Sequence, residues 1–156
     1  MTNPFPKDKI HSFMELAIEE AREAEKEREV PVGAVLVTEE GEILSKAHNC
    51  PISTSDPTGH AEIVAIRRAA KKILNYRLTN TALFVTLEPC IMCAGALVWA
   101  RVKYLFFGAK DPKSGAFGSV IDINNISNLN HRILVASGIM EETCGRLLKD
   151  FFLKRR

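Results

Sequence analysis

ALFVTLEPCIMCAGALVWARVKYLFF, residues 82–107, reads as strand, helix, strand. Ala82–Leu87 is a short apolar run rich in strand formers and stopped by Glu88-Pro89. Pro89 suits the first turn of a helix, because its fixed φ is already helical and the N–H it lacks would have had no partner. The helix it opens is apolar nearly all round (Ala94, Ala96, Leu97, Val98, Trp99), which predicts packing on two sides. Val102–Phe107 returns to strand. Strands alternating with helices predict parallel pairs with helices laid over the sheet, an α/β class.

Upstream, Ile10, Phe13, Met14, Ala17, Ile18 and Ala21 recur at helical spacing, so residues 8–28 form an amphipathic helix. Val32–Val37 is almost unbroken apolar sequence, Glu40-Gly41 marks a turn, and Glu42–Ala47 is a second strand. The pair predicts a hairpin whose first strand is buried on both faces, and it makes the sheet mixed. Asn49–Gly59 is a polar, proline-containing loop. Thr58 is the expected N-cap of a helix over 60–74, with Ile63, Ile66, Ala70 and Ile73 on its inner face.

Downstream, Gly108–His131 is rich in Gly, Asn, Ser, Asp and Lys. A stretch of that length without periodicity is functional or disordered. Ile133–Ala136 reads as a last short strand. Ile139–Phe152 reads as the closing helix, turning Cys144, Leu147, Leu148, Phe151 and Phe152 inward. The 156 residues fit one domain, 1–156, with residues 1–8 expected to be flexible.

Composition is that of an ordinary soluble protein, and the formal net charge is +2. No apolar run reaches a membrane span, so no membrane partner is expected. The polar N-terminus with its two prolines does not resemble a signal peptide. Four cysteines are too few for a disulfide scaffold, which favours a reducing cytoplasm. Charge is uneven: the first helix is acidic from Glu15 to Glu29, and the C-terminus carries Lys149, Lys154, Arg155 and Arg156. That basic end is either a phosphate contact or a solvated helix end whose cations suit its dipole.

Two blocks carry the chemistry: His60-Ala61-Glu62 and Pro89-Cys90-Ile91-Met92-Cys93. Cys90 and Cys93, at i and i+3 on a first helical turn, put both sulfurs on one face, where the helix N-terminus favours thiolate. Alone, such a pair also reads as a redox couple or two packed thiols. His60 at another helix start adds an imidazole. One imidazole and two thiolates make a catalytic zinc site with a coordination position open to water. Glu62 lies roughly 200° round the helix from His60, so it is assigned to proton transfer rather than ligation. The competing reading of Glu62 is an acid placed for the helix dipole. Cys50 could supply a fourth ligand and close the site. Cys144 reads as a small buried hydrophobe.

The two blocks, separated by twenty-six residues, match the H-x-E…P-C-x-x-C signature of zinc deaminases. Asn49, Asp56–Glu62, Asn75-Tyr76-Arg77-Leu78, Thr86–Cys90, Phe107–Ala116, Gly118-Ser119, Asn130-His131-Arg132 and Asp150-Phe151-Phe152 extend the likeness. Together they resemble the bacterial tRNA-specific adenosine deaminases of the cytidine/deoxycytidylate deaminase superfamily, over about residues 10–155. The resemblance implies a cytidine-deaminase-like three-layer α/β/α fold with a mixed five-stranded sheet, and a homodimer. It implies a tRNA anticodon stem-loop as partner and one zinc per subunit. The reaction implied is hydrolytic deamination of adenosine to inosine at the wobble position, with an arginine tRNA as substrate. His60, Cys90 and Cys93 correspond to the zinc ligands and Glu62 to the proton shuttle. Asn49 corresponds to a residue holding the flipped base, Asp111 to one beside the neighbouring backbone and sugar, and Asn130 to a further pocket contact. Two positions depart from the family: Cys50 stands where arginine is frequent, and Gly59 where alanine is usual.

Two other readings stay open on the residues. A zinc deaminase of a free base or nucleoside, of guanine or cytidine type, would share the catalytic residues. A non-catalytic zinc-stabilised RNA-binding module would need a closed metal shell.

Overall fold

Strand β1 (Gly33–Thr38) is flanked by β2 (Ile43–His48) and β3 (Thr81–Leu87), both antiparallel to it. β4 (Tyr104–Ala109) runs parallel to β3, and β5 (Leu134–Ala136) parallel to β4, giving the order β2-β1-β3-β4-β5. The structure is a computed structural model that describes residues 3–155. Its helices are α1 (Lys7–Lys26), α2 (Pro51–Thr54), α3 (Ala61–Ile73), α4 (Ile91–Ala100) and α5 (Glu141–Leu153), with a 3-10 turn at Ile123–Asn125.

The sheet is covered on both sides, so its central strands are apolar on both faces. Ala34, Leu36, Leu83, Val85, Leu105 and Phe107 face α3 and α4. Their alternate neighbours Val35, Val37, Ala82, Phe84, Tyr104 and Phe106 face α1 and α5. The architecture is therefore α/β/α in three layers around a mixed five-stranded sheet. Gly33 lets α1 approach closely, since a Cβ there would overlap the backbone of Ala17 and Ala21. Of residues 1–8, Met1 and Thr2 lie outside the described residues. Phe5 is buried edge-on to Phe13, Phe84 and Phe106, which ties the segment before α1 to the sheet.

Four local expectations are corrected. Thr58 does not cap α3: its hydroxyl donates to Asp56, and His60 is the N-cap. On α3, Ile66 and Ala70 pack against the core as expected, but the fully buried residues are Ala61, Glu62, Ala65 and Ala69, and Ile73 is exposed. Small residues win there because the helix lies close on the sheet. Helix α4 packs on one side only within the chain, leaving Ile91 64% and Trp99 79% exposed. On α5, Cys144 and Phe151 point inward, but Phe152 is half exposed.

The Gly108–His131 segment is tightly tied rather than loose. Asn124 Nδ2 donates to the Ile133 carbonyl, and the Ile133 N–H donates back to Asn124 Oδ1. Phe117 and Asp122 form an antiparallel bridge. The Asn124 bonds join the segment to the start of β5, while the Ala116 N–H to the Pro89 carbonyl and a Gly115–Cys90 bridge hold its first part beyond the C-terminal end of β3.

Candidate active site

The parallel pair β3–β4 meets the antiparallel β1 at the C-terminal end of β3. In sheets of this kind such an end, where connections diverge, forms a crevice. A cavity of about 230 Å³ lies there, walled by Val30, Val32 and Leu87 as apolar sides. Asn49, His60, Glu62, Glu88, Cys90, Asp111 and Ser114 supply its polar groups.

His60 is the N-cap of α3 and Cys90 the N-cap of α4. Two helix N-termini, each with unpaired N–H groups, therefore converge on one point and favour negative charge there. The ligand atoms of His60, Cys90 and Cys93 all lie within 4.8 Å of one another. His60 Nδ1 is 3.6 Å from each sulfur. Among the described residues this is the group with metal-binding geometry, and Cys50 is not part of it. All four cysteines are free.

The protonation pattern follows from this crowding. Hydrogen bonding from Cys93, joined by His60, pulls Cys90 down to about 3, so Cys90 carries the negative charge. Cys93 is pushed up by its hydrogen bond to Cys90 and by burial, and the Glu62 charge adds to this. His60 is raised by its hydrogen bond to Cys90. Burial lifts Glu62 to about 7, where a carboxyl both takes and gives protons at neutral pH. His60 escapes the helical spacing argument because its backbone is extended (φ −72°, ψ 151°), while Glu62 is already in the helix. Both side chains thus line one cavity.

Residues 7–109 match the model of the cytidine and deoxycytidylate deaminase zinc-binding region. The chain belongs to the cytidine and deoxycytidylate deaminase family. It is 50% identical over 144 residues to the tRNA-specific adenosine deaminase of Haemophilus influenzae, covering 92% of this chain and 83% of that one. It is 45% identical to the tRNA-specific adenosine deaminase of Bacillus subtilis, over 92% of this chain and 89% of the relative. A solved structure from work on A-to-I editing by tRNA:A34 deaminases superposes with a TM-score of 0.85 at 42% identity. That superposition covers 88% of this chain and 99% of the other.

This deaminase brings together six of the seven residues singled out by sequence. Asn49 Oδ1 accepts the Ala61 N–H, which pins the start of α3 beside the cavity. Asp111 Oδ1 accepts the N–H groups of Lys113 and Ser114, a turn that places Ser114 on the wall as well. Asn130 is not brought in: its Oδ1 accepts from Arg101, which ends α4, so it sits at the opposite end of that helix from Cys90. The segment carrying it is drawn there by His131, bonded to the Val102 carbonyl. The apolar walls Val30 and Val32 carried no sequence signal apart from their place in the fold, whereas Leu87 and Ser114 lie in stretches that carry the resemblance but were not singled out. At the basic C-terminus, Lys154 pairs with Glu25, and Arg155 stacks on Phe151. Arg156 lies outside the described residues. Among the described residues no helix is long and apolar enough to cross a membrane.

Proposed function

We propose that this deaminase converts adenosine to inosine at the wobble position of a tRNA anticodon, with an arginine tRNA as its substrate. The observation that carries the reading is a small cavity lined by the buried Glu62, by His60 and Cys90 of the His60, Cys90 and Cys93 group, and by Asn49 and Asp111.

One imidazole and two sulfurs, one of them already thiolate, fit a single zinc per subunit. Held by His60, Cys90 and Cys93, zinc would supply a polarised water with a pKa of about 7. Glu62 would take a proton from the attacking water as the C6–O bond forms and give it to adenine N1. It then relays the second proton to the amine. The C6–N bond breaks, ammonia leaves and inosine remains, so one carboxyl works in both directions. A carboxyl held near neutral suits both halves of that task.

Asn49 has its oxygen engaged by Ala61, so its NH2 is the end that serves the base. Asp111 repels phosphate and accepts from hydroxyl, which suits a sugar beside the target nucleotide. Val30, Val32 and Leu87 provide apolar faces for a flipped base. Extrusion is cheap in an anticodon loop, where the base is unpaired. The same reading puts the protein in the reducing cytoplasm. It also makes it a homodimer, with a second copy covering the apolar stripe Ile91, Gly95 and Trp99 that α4 presents at i, i+4 and i+8.

A direct test incubates the zinc-loaded protein with an anticodon stem-loop and, separately, with free adenosine, cytidine and guanine. The reading expects inosine at one loop position and negligible ammonia from the free compounds. Efficient turnover of a free base with none of the stem-loop would assign the site to small molecules.

A further inference from the structure

Glu88 is a buried carboxylate that faces no lysine or arginine in its hydrogen bonding. All of its partners come from one stretch of the Gly108–His131 segment. Its Oε1 accepts the Asp111 N–H at 3.0 Å, and its Oε2 accepts the N–H groups of Phe117 at 3.0 Å and Ser119 at 3.2 Å. The Ser119 hydroxyl donates to Oε1 in a very short contact. Gly115 closes over this group, and a Cβ there would overlap the carboxylate. The same stretch is stitched to the next two residues of the chain: Ala116 N–H donates to the Pro89 carbonyl, and Gly115 bridges to Cys90. Glu88 lines both the active-site cavity and a second cavity of about 300 Å³, so it stands between the two.

We infer that Glu88 is a positioning residue for substrate: it fixes Asp111 and Ser114 on the rim of the cavity, in register with the Cys90 ligand. The inference rests on the proposed RNA reading for its substrate. A carboxylate is required because all four groups it meets are donors. Glutamine has the same size but one acceptor oxygen. With that oxygen turned to Phe117 and Ser119, its NH2 faces Ser119 Oγ, which can switch to accepting, and the Asp111 N–H, which cannot. Glu88→Gln therefore strands the one donor that belongs to the rim residue. Gly115→Ala displaces the carboxylate from the other side without altering its chemistry.

The test measures steady-state kinetics on an anticodon stem-loop, zinc content, and amide hydrogen exchange at Asp111. Glu88→Gln is expected to keep its zinc, to raise KM roughly tenfold with kcat within about threefold, and to lose protection at the Asp111 amide. Gly115→Ala should shift KM and exchange in the same direction, and Ser119→Ala, which removes only the switchable donor, should shift them less. Unchanged KM and unchanged exchange in Glu88→Gln overturn the inference. So does loss of zinc with the Asp111 amide still protected, which would make Glu88 a support of the metal loop alone. If Glu88→Gln does not fold, Gly115→Ala decides by the same two readouts. If the wild-type chain makes no inosine in the stem-loop, the functional reading fails, while the exchange measurement still decides whether Glu88 holds the rim.

Discussion

Asn49 has two jobs that one substitution separates. Its oxygen holds the Ala61 N–H, and its NH2 is assigned to the base. Asn49→Asp keeps the acceptor and removes the donor. It is expected to leave the thermal midpoint nearly unchanged while kcat/KM on the stem-loop falls roughly 10- to 100-fold. Asn49→Ala removes both and should also cost about 1 kcal/mol of stability, read by denaturant unfolding. That His60, Cys90 and Cys93 come together, with Glu62 lining the same cavity as His60 and Cys90, was legible in the sequence because their types and spacing state a chemistry. That Asn130 lies away from this cavity was not legible, because its bond to Arg101 spans a long sequence interval that no local pattern encodes.

At the scale of elements, β1, β3, β4 and α1 were readable because burial imposes a regular period on them. The wall from Asp111 to Ser119 was not. It is shaped by hydrogen bonds to Glu88 and to the Pro89 carbonyl rather than by an apolar period that a sequence pattern would show. The contact of β2 with α1 supplies a pH-dependent term. His48 Nδ1 is 3.1 Å from Glu20 and Nε2 2.9 Å from Glu27. Burial lowers its affinity for the proton, but the hydrogen bonds to the two carboxylates outweigh this and the net shift is upward. A group raised in the folded state stabilises fully below its unfolded value, about 6.5, and loses that contribution as pH rises through the raised value. Relative to His48→Gln, the wild-type chain should be more stable by about 1 kcal/mol at pH 5.5. The difference should vanish by pH 9 in urea titrations. A gap that widens with pH would contradict the ion-pair assignment.

For the whole molecule, the two sheet faces divide the work. Helices α1 and α5 close one face with a phenylalanine cluster, and α3 and α4 cover the other and bring His60, Cys90 and Cys93 together at their N-termini. The outer side of α4 is left apolar, and the proposed second copy explains why a helix read as doubly packed is covered once within the chain. Trp99→Asp should convert a dimer into a folded monomer in sedimentation velocity, with far-ultraviolet circular dichroism unchanged. A wild-type chain that sediments as a monomer would remove the proposed dimer. The central claim concerns Glu62, and single-turnover inosine formation in an anticodon stem-loop tests it most directly. Wild-type and Glu62→Ala proteins would be compared at equal, measured zinc content. The expected result is a rate loss of at least roughly 10²- to 10⁴-fold in Glu62→Ala with zinc retained; comparable rates in the two proteins would contradict the account.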